Sequence, residues 1–440
     1  NKVDNMFTSL KSSVTTVALV VSSILSQSAW AETSVIHAGE LLVIAGQAPL
    51  KNQTLVITDG KVSAVKSGFI AANKFSNDAK LIDLSSSFVM PGLMDMHVHL
   101  QGELGPNNDS EMVNLSDADT LMKSAYFAKK TLMAGFTTVR DLGSSAEQMF
   151  ALRDGVKRGW VTGPTIIAAG SSVAVTGGHG DVDGMAPDLM TLHTAETVCD
   201  GPYDCRRATR HAIKFGADVI KITSTGGVLS DTDTGTGQQM ADDEIKEVVD
   251  TAHALGRKVA SHAHAAAGIN AALRAGVDSI EHGSYADKES IKLFKKGGAY
   301  LVPTLMAGDT VVNMAKTSDF MSPAIRAKAI RVGGDMIKNF KRAYQAGVKI
   351  AYGTDSGVSK HGYNAREAQL MLAAGMSPQD ILVSATINGA DLIGRSKGVG
   401  TLEVGKIADV IAMHGSPLND INELLDVDFV MKSGEVVKQK

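Results

Sequence analysis

Two histidines stand out in the stretch MPGLMDMHVHL, residues 90–100. His97 and His99 lie two positions apart at the end of an apolar run. Residues i and i+2 of a β-strand share a face, so both imidazoles can reach one point in space. Neutral imidazole is a ligand that zinc and similar divalent ions prefer. The spacing therefore predicts a strand that ends in two metal ligands.

Similar side chains follow other apolar runs. SHAH contains His262 and His264, SIEHG contains His282, and YGTDSG contains Asp355. One histidine at a strand end usually packs or hydrogen-bonds without further function. Nitrogen and oxygen donors that end several strands on one face of a fold instead indicate a metal site.

Lys221, in GADVIKI, is the unusual member of this set, because a protonated lysine has no lone pair for a metal. Burial and nearby cations would lower its pKa and free the amine to react with carbon dioxide. The resulting N6-carboxylysine has two oxygens and can bridge two metal ions. The alternative is an ion-paired structural lysine.

Strand-like runs that alternate with helical stretches must position these side chains. There are eight such runs: LMDMHVHL, FTTVRDLG, TIIAAG, ADVIKIT, KVASHAH, DSIEHGS, AYLVPTL and VKIAYGTDSG. The alternation predicts an α/β fold, a (β/α)8 TIM-type barrel over residues 90–395 with its site at the C-terminal strand ends. An open doubly wound sheet is the alternative, although no strand-linked G-x-G-x-x-G supports its dinucleotide-binding form.

Short strands and glycine turns occupy both ends of the chain. TLVITDGKVSAVKSG contains an Asp-Gly hairpin turn, and GKIADVIAMHG and DFVMKSGEVVKQK have the same style. Neither part is long enough for a stable sheet alone. We expect one small β-sandwich domain built from residues 32–89 and 396–440.

Residues 1–31 have the pattern of a secretory signal peptide. Lys11 precedes an apolar stretch, and AWA at residues 29–31 matches an A-x-A cleavage site. We expect a periplasmic or secreted mature protein without a stable membrane span, with a retained N-terminal anchor as the alternative. Export would permit a disulfide between Cys199 and Cys205 in CDGPYDC, with two free thiols as the alternative.

The charge is close to balanced. A net charge of −4 over 440 residues provides no basic stripe for nucleic acid and no polybasic membrane patch. We therefore expect no nucleic-acid partner, and the charge says nothing specific about other partners.

Several ordered motifs together resemble the amidohydrolase superfamily: MPGLMDMHVHL, GFTTVRDLG, TGGHG, GADVIKI, SHAH, SIEHG, YGTDSG and GTLEVGKIADVI. The subgroup they resemble contains binuclear-zinc carboxypeptidases and dipeptidases of prolidase-like, imidazolonepropionase-related and ochratoxinase-like type. The likeness runs from about residue 34 to the end. It implies two divalent metal ions, zinc above all, carbon dioxide or bicarbonate for the lysine, and a homo-oligomer of octameric size.

The resemblance also implies which residues hold each ion, with carboxylated Lys221 as the bridge. The first ion would be held by His97, His99 and Asp355. The second would be held by His262 and His282. Imidazolonepropionases use one metal and lack the bridging lysine, so Lys221 argues against that activity.

Two metal ions about 3.5 to 4 Å apart can hold a bridging hydroxide at neutral pH. This hydroxide would attack a polarised amide carbonyl, and Asp355 would pass the proton to the leaving amine, unless it is a ligand only. His179, in VTGGHGD, would donate to the oxyanion, and His264 would contact the substrate's carboxylate or carbonyl. A structural role is the alternative for each histidine.

A substrate carboxylate needs an anion-binding group. HGYNAREAQ offers His361, Asn364 and Arg366 shortly after the aspartate, although Arg366 is equally consistent with a solvated helix position. Arg140 and Asp141 in TVRDLG are expected to form a structural pair beneath the site.

The N-terminal pattern and the metal centre predict an exported metal-dependent hydrolase of amides or esters. The resemblance implies a zinc-dependent amidohydrolase that cleaves the amide bond to a C-terminal amino acid in dipeptides or N-acyl amino acids, Xaa-Pro dipeptides and ochratoxin-type amides included. One alternative keeps the metal centre and changes the substrate to a cyclic amide, lactone or phosphoester. Another is a non-catalytic metal-binding protein, which shared ligands and an open coordination position argue against.

Overall fold

The computed structural model describes residues 32–230 and 236–440. The expected signal peptide at residues 1–31 lies outside the described residues. The strands of the described ranges are β1 (Thr33–Leu41), β2 (Leu50–Thr58), β3 (Lys61–Ser67), β4 (Lys80–Pro91), β5 (Leu93–Val98), β6 (Phe136–Asp141), β7 (Thr165–Ala168), β8 (Val219–Thr223), β9 (Lys258–Ala263), β10 (Ser279–His282), β11 (Tyr300–Val302), β12 (Lys349–Ile350), β13 (Val410–Met413), β14 (Phe429–Lys432) and β15 (Glu435–Gln439).

The helices connect and follow these strands. They are α1 (Asn108–Asn114), α2 (Asp117–Met133), α3 (Ala146–Lys157), α4 (Pro187–His193), α5 (Pro202–Phe215), α6 (Asp242–Ala254), α7 (Ala266–Ala275), α8 (Lys288–Gly297), α9 (Leu305–Thr317), α10 (Pro323–Gln345), α11 (Arg366–Ala373), α12 (Pro378–Val383) and α13 (Gly389–Leu392). Short polar caps start several of them, for example Ser116, whose side chain accepts from Asp119 N in a capping box before α2.

A seven-stranded mixed sheet combines the two ends of the chain, in the order β15-β14-β13-β4-β1-β2-β3. β1 pairs parallel with β4, and β13 pairs antiparallel with β4. One face carries its own buried cluster, which includes Ile36, Leu55 and Phe429. The expectation of a β-sandwich needs correction, because these strands form one continuous hydrogen-bonded sheet and not two.

Two parallel sheets follow, one in the order β5-β6-β7 and one in the order β12-β11-β10-β9-β8. Two isolated parallel bridges link the two sheets at their outer strands. One joins Val173, after β7, to Ile222 of β8, and the other joins Val98 of β5 to Ser356, after β12. All residues of β5, β6 and β8 are buried, as expected for strands of a parallel sheet that is covered on both faces. The expected alternation of strands and helices is present in this region.

The strained backbone positions of this region are at the ends of its parallel strands. His282, Thr304 and Asp355 have φ values of 69°, 49° and 57°, in the left-handed region that non-glycine residues rarely adopt. Such strain persists only where surrounding contacts over-determine the conformation, and it is frequent at functional sites.

Cys199 and Cys205 form a disulfide in the structure, across a sequence separation of six residues. Both cysteines are buried. The bond joins the segment before α5 to the first turn of that helix.

Among the described residues, no helix is both long enough and apolar enough to cross a bilayer.

Candidate metal centre

The side chains predicted to hold metal converge on one cavity of about 370 Å³. They lie on five different strands, β5, β8, β9, β10 and β12, or within five residues after them. The cavity is lined by all six residues expected as ligands and by both additional histidines: His97, His99, Lys221, His262, His282 and Asp355, with His179 and His264. Strand ends therefore bring together residues that are far apart in the sequence.

The cavity contains two groups of three residues, and within each group the potential ligand atoms all lie within 4.8 Å of one another. One consists of His262, His264 and His282, and the other of His97, His282 and Asp355. His282 belongs to both groups, so the two are contiguous. His264, expected to contact substrate, lies as close to this group as the histidines that were expected as ligands.

Hydrogen bonds at Nδ1 orient the first two histidines. His97 Nδ1 lies 2.9 Å from Glu281 Oε2, and His99 Nδ1 lies 2.7 Å from the Gly143 carbonyl oxygen. Both partners are acceptors only, so each Nδ1 is the protonated donor. Nε2 of each ring is then free to offer its lone pair, which is the usual arrangement behind a metal-binding histidine.

Hydroxyl groups lie at Nδ1 of three further rings, and a hydroxyl can either donate to Nδ1 or accept from it. His282 Nδ1 lies 2.6 Å from Thr304 Oγ1, His264 Nδ1 lies 2.7 Å from Ser284 Oγ, and His179 Nδ1 lies 2.6 Å from Ser230 Oγ. These contacts leave Nε2 of each ring for other partners.

Three buried atoms of cavity-lining residues have no hydrogen-bond partner within the described chain, Thr223 Oγ1, His262 Nε2 and Asp355 Oδ1. Leaving buried polar atoms unsatisfied is costly, so each such atom needs an explanation. A lone pair on an imidazole nitrogen and one on a carboxylate oxygen are both ligands for a divalent cation. The donor set therefore fits a metal ion.

The protonation states agree with this assignment. Burial lowers the pKa of His97 and of His264 to about 4, and it lowers the pKa of His262 and His282 well below the ordinary value. These four rings are therefore neutral at pH 7 and able to coordinate.

His99 Nε2 and Asp355 Oδ1 lie 3.1 Å apart without forming a hydrogen bond. Burial by itself would lower the pKa of His99, but the adjacent Asp355 carboxylate outweighs it and the net shift is upward. Burial would raise the pKa of Asp355, yet the surrounding histidines hold it below its usual range. Asp355 is consequently a carboxylate at neutral pH.

Lys221 opens on the same cavity, although its side chain is only 4% exposed. Its Nζ donates to the Leu142 carbonyl oxygen at 3.2 Å. Burial is the main cause that lowers the pKa of this amine. A larger fraction of neutral amine is therefore present than on an exposed lysine.

His179 packs its ring against His262, with ring centroids 4.2 Å apart. Its backbone N–H donates to Gln239 Oε1. Gly227 also lies against the imidazole, because a Cβ added there would be 2.1 Å from His179 Cε1. The loop thus holds the ring at the cavity wall.

The expected carboxylate-binding residues are not brought to this cavity. His361 and Asn364 are fully buried, with His361 Nε2 bonded to the Gly102 carbonyl oxygen and Asn364 Nδ2 to Asp95 Oδ2. Arg366 is half-exposed and lies 3.8 Å from Asp309. The motif follows Asp355 closely, but the chain turns away from the cavity there.

Arg140 and Asp141 do not pair with each other as expected. Adjacent strand residues point to opposite faces, so Arg140 instead donates to Glu281 Oε1 at 2.9 Å and to the Met96 carbonyl oxygen at 2.7 Å. Asp141 accepts from Leu100 N. Glu281 was missed as a site residue, although its place beside His282 in SIEHG was a signal for it.

Comparison with known proteins agrees with this geometry. Residues 88–437 match the model of the amidohydrolase family. Ochratoxinase from Aspergillus niger is 32% identical over 428 residues, which cover 93% of this chain and 87% of that protein. A crystal structure of a Xaa-Pro dipeptidase with methionine bound in its active site has a TM-score of 0.87 and 39% identity, over 92% of this chain and all of that one. A prolidase complexed with N-methylphosphonate-L-proline has a TM-score of 0.84 and 30% identity, over 93% of this chain and 100% of that one.

The family model, the sequence relative and the structures each match most of this chain, and the residues matched by the family model include every strand end that contributes to the cavity. The chain belongs to the amidohydrolase family and is a hydrolase that acts on amide bonds.

Proposed function

We propose that this protein is an exported, zinc-dependent amidohydrolase that releases a C-terminal amino acid from dipeptides or N-acyl amino acids. The names of its relatives support the substrate class, since one is an ochratoxinase and another is a Xaa-Pro dipeptidase. The observation that carries the proposal is the position of Lys221, which opens on the same cavity as both groups of ligand atoms.

The residues that would hold the metal ions are those of the two groups, together with Lys221 as its carbamate. Carboxylation joins the neutral Nζ of Lys221 to the carbon of carbon dioxide and releases one proton, which leaves two oxygens for coordination. Divalent ions bound there would supply Lewis-acid polarisation of the amide carbonyl and would lower the pKa of water to about 7.

The residues of the chain supply the remaining chemistry. Asp355 accepts a proton at its carboxylate from the attacking water and delivers it to the nitrogen of the leaving amine. The water oxygen forms its bond to the carbonyl carbon, and the C–N bond breaks. His179, held at Nδ1 by Ser230, donates from Nε2 to the carbonyl oxygen as negative charge develops there.

His264 lies in the wall beside the two ligand groups, with its Nδ1 held by Ser284. We assign His264 a contact with the substrate's carbonyl or carboxylate, or coordination of the second metal ion.

The proposal includes three properties of the whole molecule. The bridges from Val98 to Ser356 and from Val173 to Ile222 support closure of the parallel strands into a (β/α)8 barrel over residues 90–395. Residues 32–89 and 396–440 would form the smaller domain. Copies of the chain would assemble into a homo-oligomer of octameric size. Cleavage after residue 31 would place the mature protein in the periplasm or outside the cell.

The deciding experiment measures amino-acid release by the mature protein supplied with zinc and bicarbonate. Three matched compounds are compared: a dipeptide, its N-acyl counterpart, and the same N-acyl compound with its C-terminal carboxylate amidated. We expect cleavage of the first two and not of the third. If the metal-loaded protein cleaves none of the three compounds, the proposal is overturned, and cyclic amides and esters should be tested next.

The carbamate has its own test. Incubation with ¹³C-bicarbonate should give a carbamate resonance in the wild-type protein and none in Lys221→Met. The variant should also bind fewer than two zinc ions per chain. A wild-type protein with two ions and no carbamate would remove Lys221 from the ligand set.

A further inference from the structure

One wall of the cavity is made by the helical pair between β11 and β12. Six residues of α9 and α10 line it: Ala307, Gly308, Val311, Val332, Gly333 and Met336. All six are apolar and none carries a hydrogen-bonding side chain. The wall therefore differs in character from the metal-ligand side of the cavity.

Two glycines let α9 and α10 approach each other closely. A Cβ added at Gly333 would lie 2.5 Å from Val312 Cγ2 and 2.7 Å from the Gly308 carbonyl oxygen. A Cβ added at Gly308 would lie 2.6 Å from Met336 Sδ. The backbone contact fixes the spacing of the helices, and the Met336 side chain covers Gly308 as a flexible part of the wall.

The wall is held in a fixed position relative to the metal centre. Thr304, directly before α9, is bonded to His282 Nδ1 at 2.6 Å. The buried Glu367 carboxylate accepts from Leu305 N at 2.8 Å and from Met306 N at 2.6 Å, at the N-terminus of the same helix. A group seated against the wall is thereby placed at a constant distance from His282.

Within residues 32–230 and 236–440, the cavity offers no free counter-charge to a cationic side chain. Among the described residues that line the cavity, the carboxylates are those of Glu103 and Asp355. Glu103 Oε1 already accepts from His361 N at 2.9 Å and lies 3.4 Å from Lys130 Nζ. Asp309 pairs with Arg366 outside this cavity. Burying an unpaired ammonium or guanidinium is strongly unfavourable.

We propose that the α9–α10 wall receives the side chain of the substrate's C-terminal amino acid, and that the enzyme selects apolar residues such as methionine, leucine and phenylalanine over lysine and arginine. This inference rests on the proposed function and names the substrate class within it. Met336 sets the selectivity, because its thioether adapts to apolar groups of different shape but offers no charge.

The kinetic test compares N-acetyl-L-methionine with N-acetyl-L-arginine on the metal-loaded protein. We expect kcat/KM to favour the methionine compound by about 100-fold or more. Met336→Glu supplies a counter-charge and should reduce that ratio by about tenfold or more, whereas the matched neutral variant Met336→Gln should change it by less than about threefold. Equal rates for the two compounds in the wild-type protein would overturn the inference.

A binding measurement separates this inference from the proposed function. Calorimetry of the metal-loaded protein with free L-methionine and L-arginine needs no catalysis. If neither acetylated compound is cleaved but methionine binds and arginine does not, the proposed reaction fails and the wall assignment stands. Arginine binding as tight as methionine binding, or no methionine binding at all, overturns the assignment.

Discussion

His97 and Glu281 are joined by a hydrogen bond of 2.9 Å between Nδ1 and Oε2, although 184 positions separate them in the chain. The other oxygen of Glu281 accepts from Arg140 at 2.9 Å, and all three side chains are buried. Arg140 also donates to the Met96 carbonyl oxygen, next to His97. Glu281 thus orients the His97 ring, and Arg140 holds both Glu281 and the backbone next to that ring.

Glu281→Gln should weaken metal binding. The amide keeps the shape of the side chain but removes the negative charge behind His97 and leaves Arg140 buried without its counter-ion. Loss of such a partner typically lowers metal affinity by about 10- to 100-fold, and an unpaired buried charge costs about 3–5 kcal/mol of stability. Competition with a zinc chelator and urea unfolding measure the two effects.

Glu435→Gln in the exposed part of β15 is the matched control and should change neither quantity. Unchanged zinc affinity in Glu281→Gln would show that this carboxylate does not support the metal centre.

Gly227→Ala should displace His179. The added methyl group would lie 2.1 Å from Cε1 of the ring, so the imidazole must move from its place against His262. If His179 donates to the oxyanion, kcat should fall by about 100-fold while zinc content stays the same. Gly237→Ala, which has nothing within 4 Å, is the control from the same loop. Full activity in Gly227→Ala would contradict the oxyanion role.

His361 makes the protein sensitive to acid. Burial lowers its pKa to about 4, from an ordinary value of 6.5, so the folded chain keeps this ring neutral where the unfolded chain protonates it. Its contribution to stability is complete above pH 6.5 and is lost as the pH falls towards 4. Between pH 7 and pH 5, wild-type protein should lose about 2 kcal/mol more than His361→Gln.

Urea unfolding at the two pH values tests this, with exposed His414→Gln as a control that behaves like wild type. A raised KM in His361→Gln, with unchanged acid sensitivity, would instead restore the carboxylate-binding role that the motif suggested.

The Cys199–Cys205 disulfide should stabilise the protein modestly. It closes a loop of six residues, and a loop of this size corresponds to about 2 kcal/mol in the chain-entropy treatment. The double variant Cys199→Ser/Cys205→Ser should lose that amount in urea unfolding, and a reductant should lower the stability of wild type but not of the variant. Equal stability with and without reductant in wild type would show that the bond is not formed in solution.

Much of the candidate site could be predicted because strand periodicity and residue chemistry are local properties. The i, i+2 spacing of His97 and His99 and the strand-final positions of His262 and His282 indicated one shared face, and the structure brings these side chains to one cavity. The motif HGYNAREAQ failed as a guide, because proximity in sequence to Asp355 does not control which way the chain turns. His361 and Asn364 are buried behind the site instead.

The sequence by itself determined the alternation of strands and helices, the donor atoms at the strand ends and the place of a lysine among them, because these depend on residue type and spacing. Tertiary structure alone decided that Glu281 reaches His97, that His264 joins the ligand group, and that α9 and α10 supply an apolar wall. Each of these contacts joins residues from different strands or helices. Their geometry follows from how the elements pack against one another, which no local pattern records.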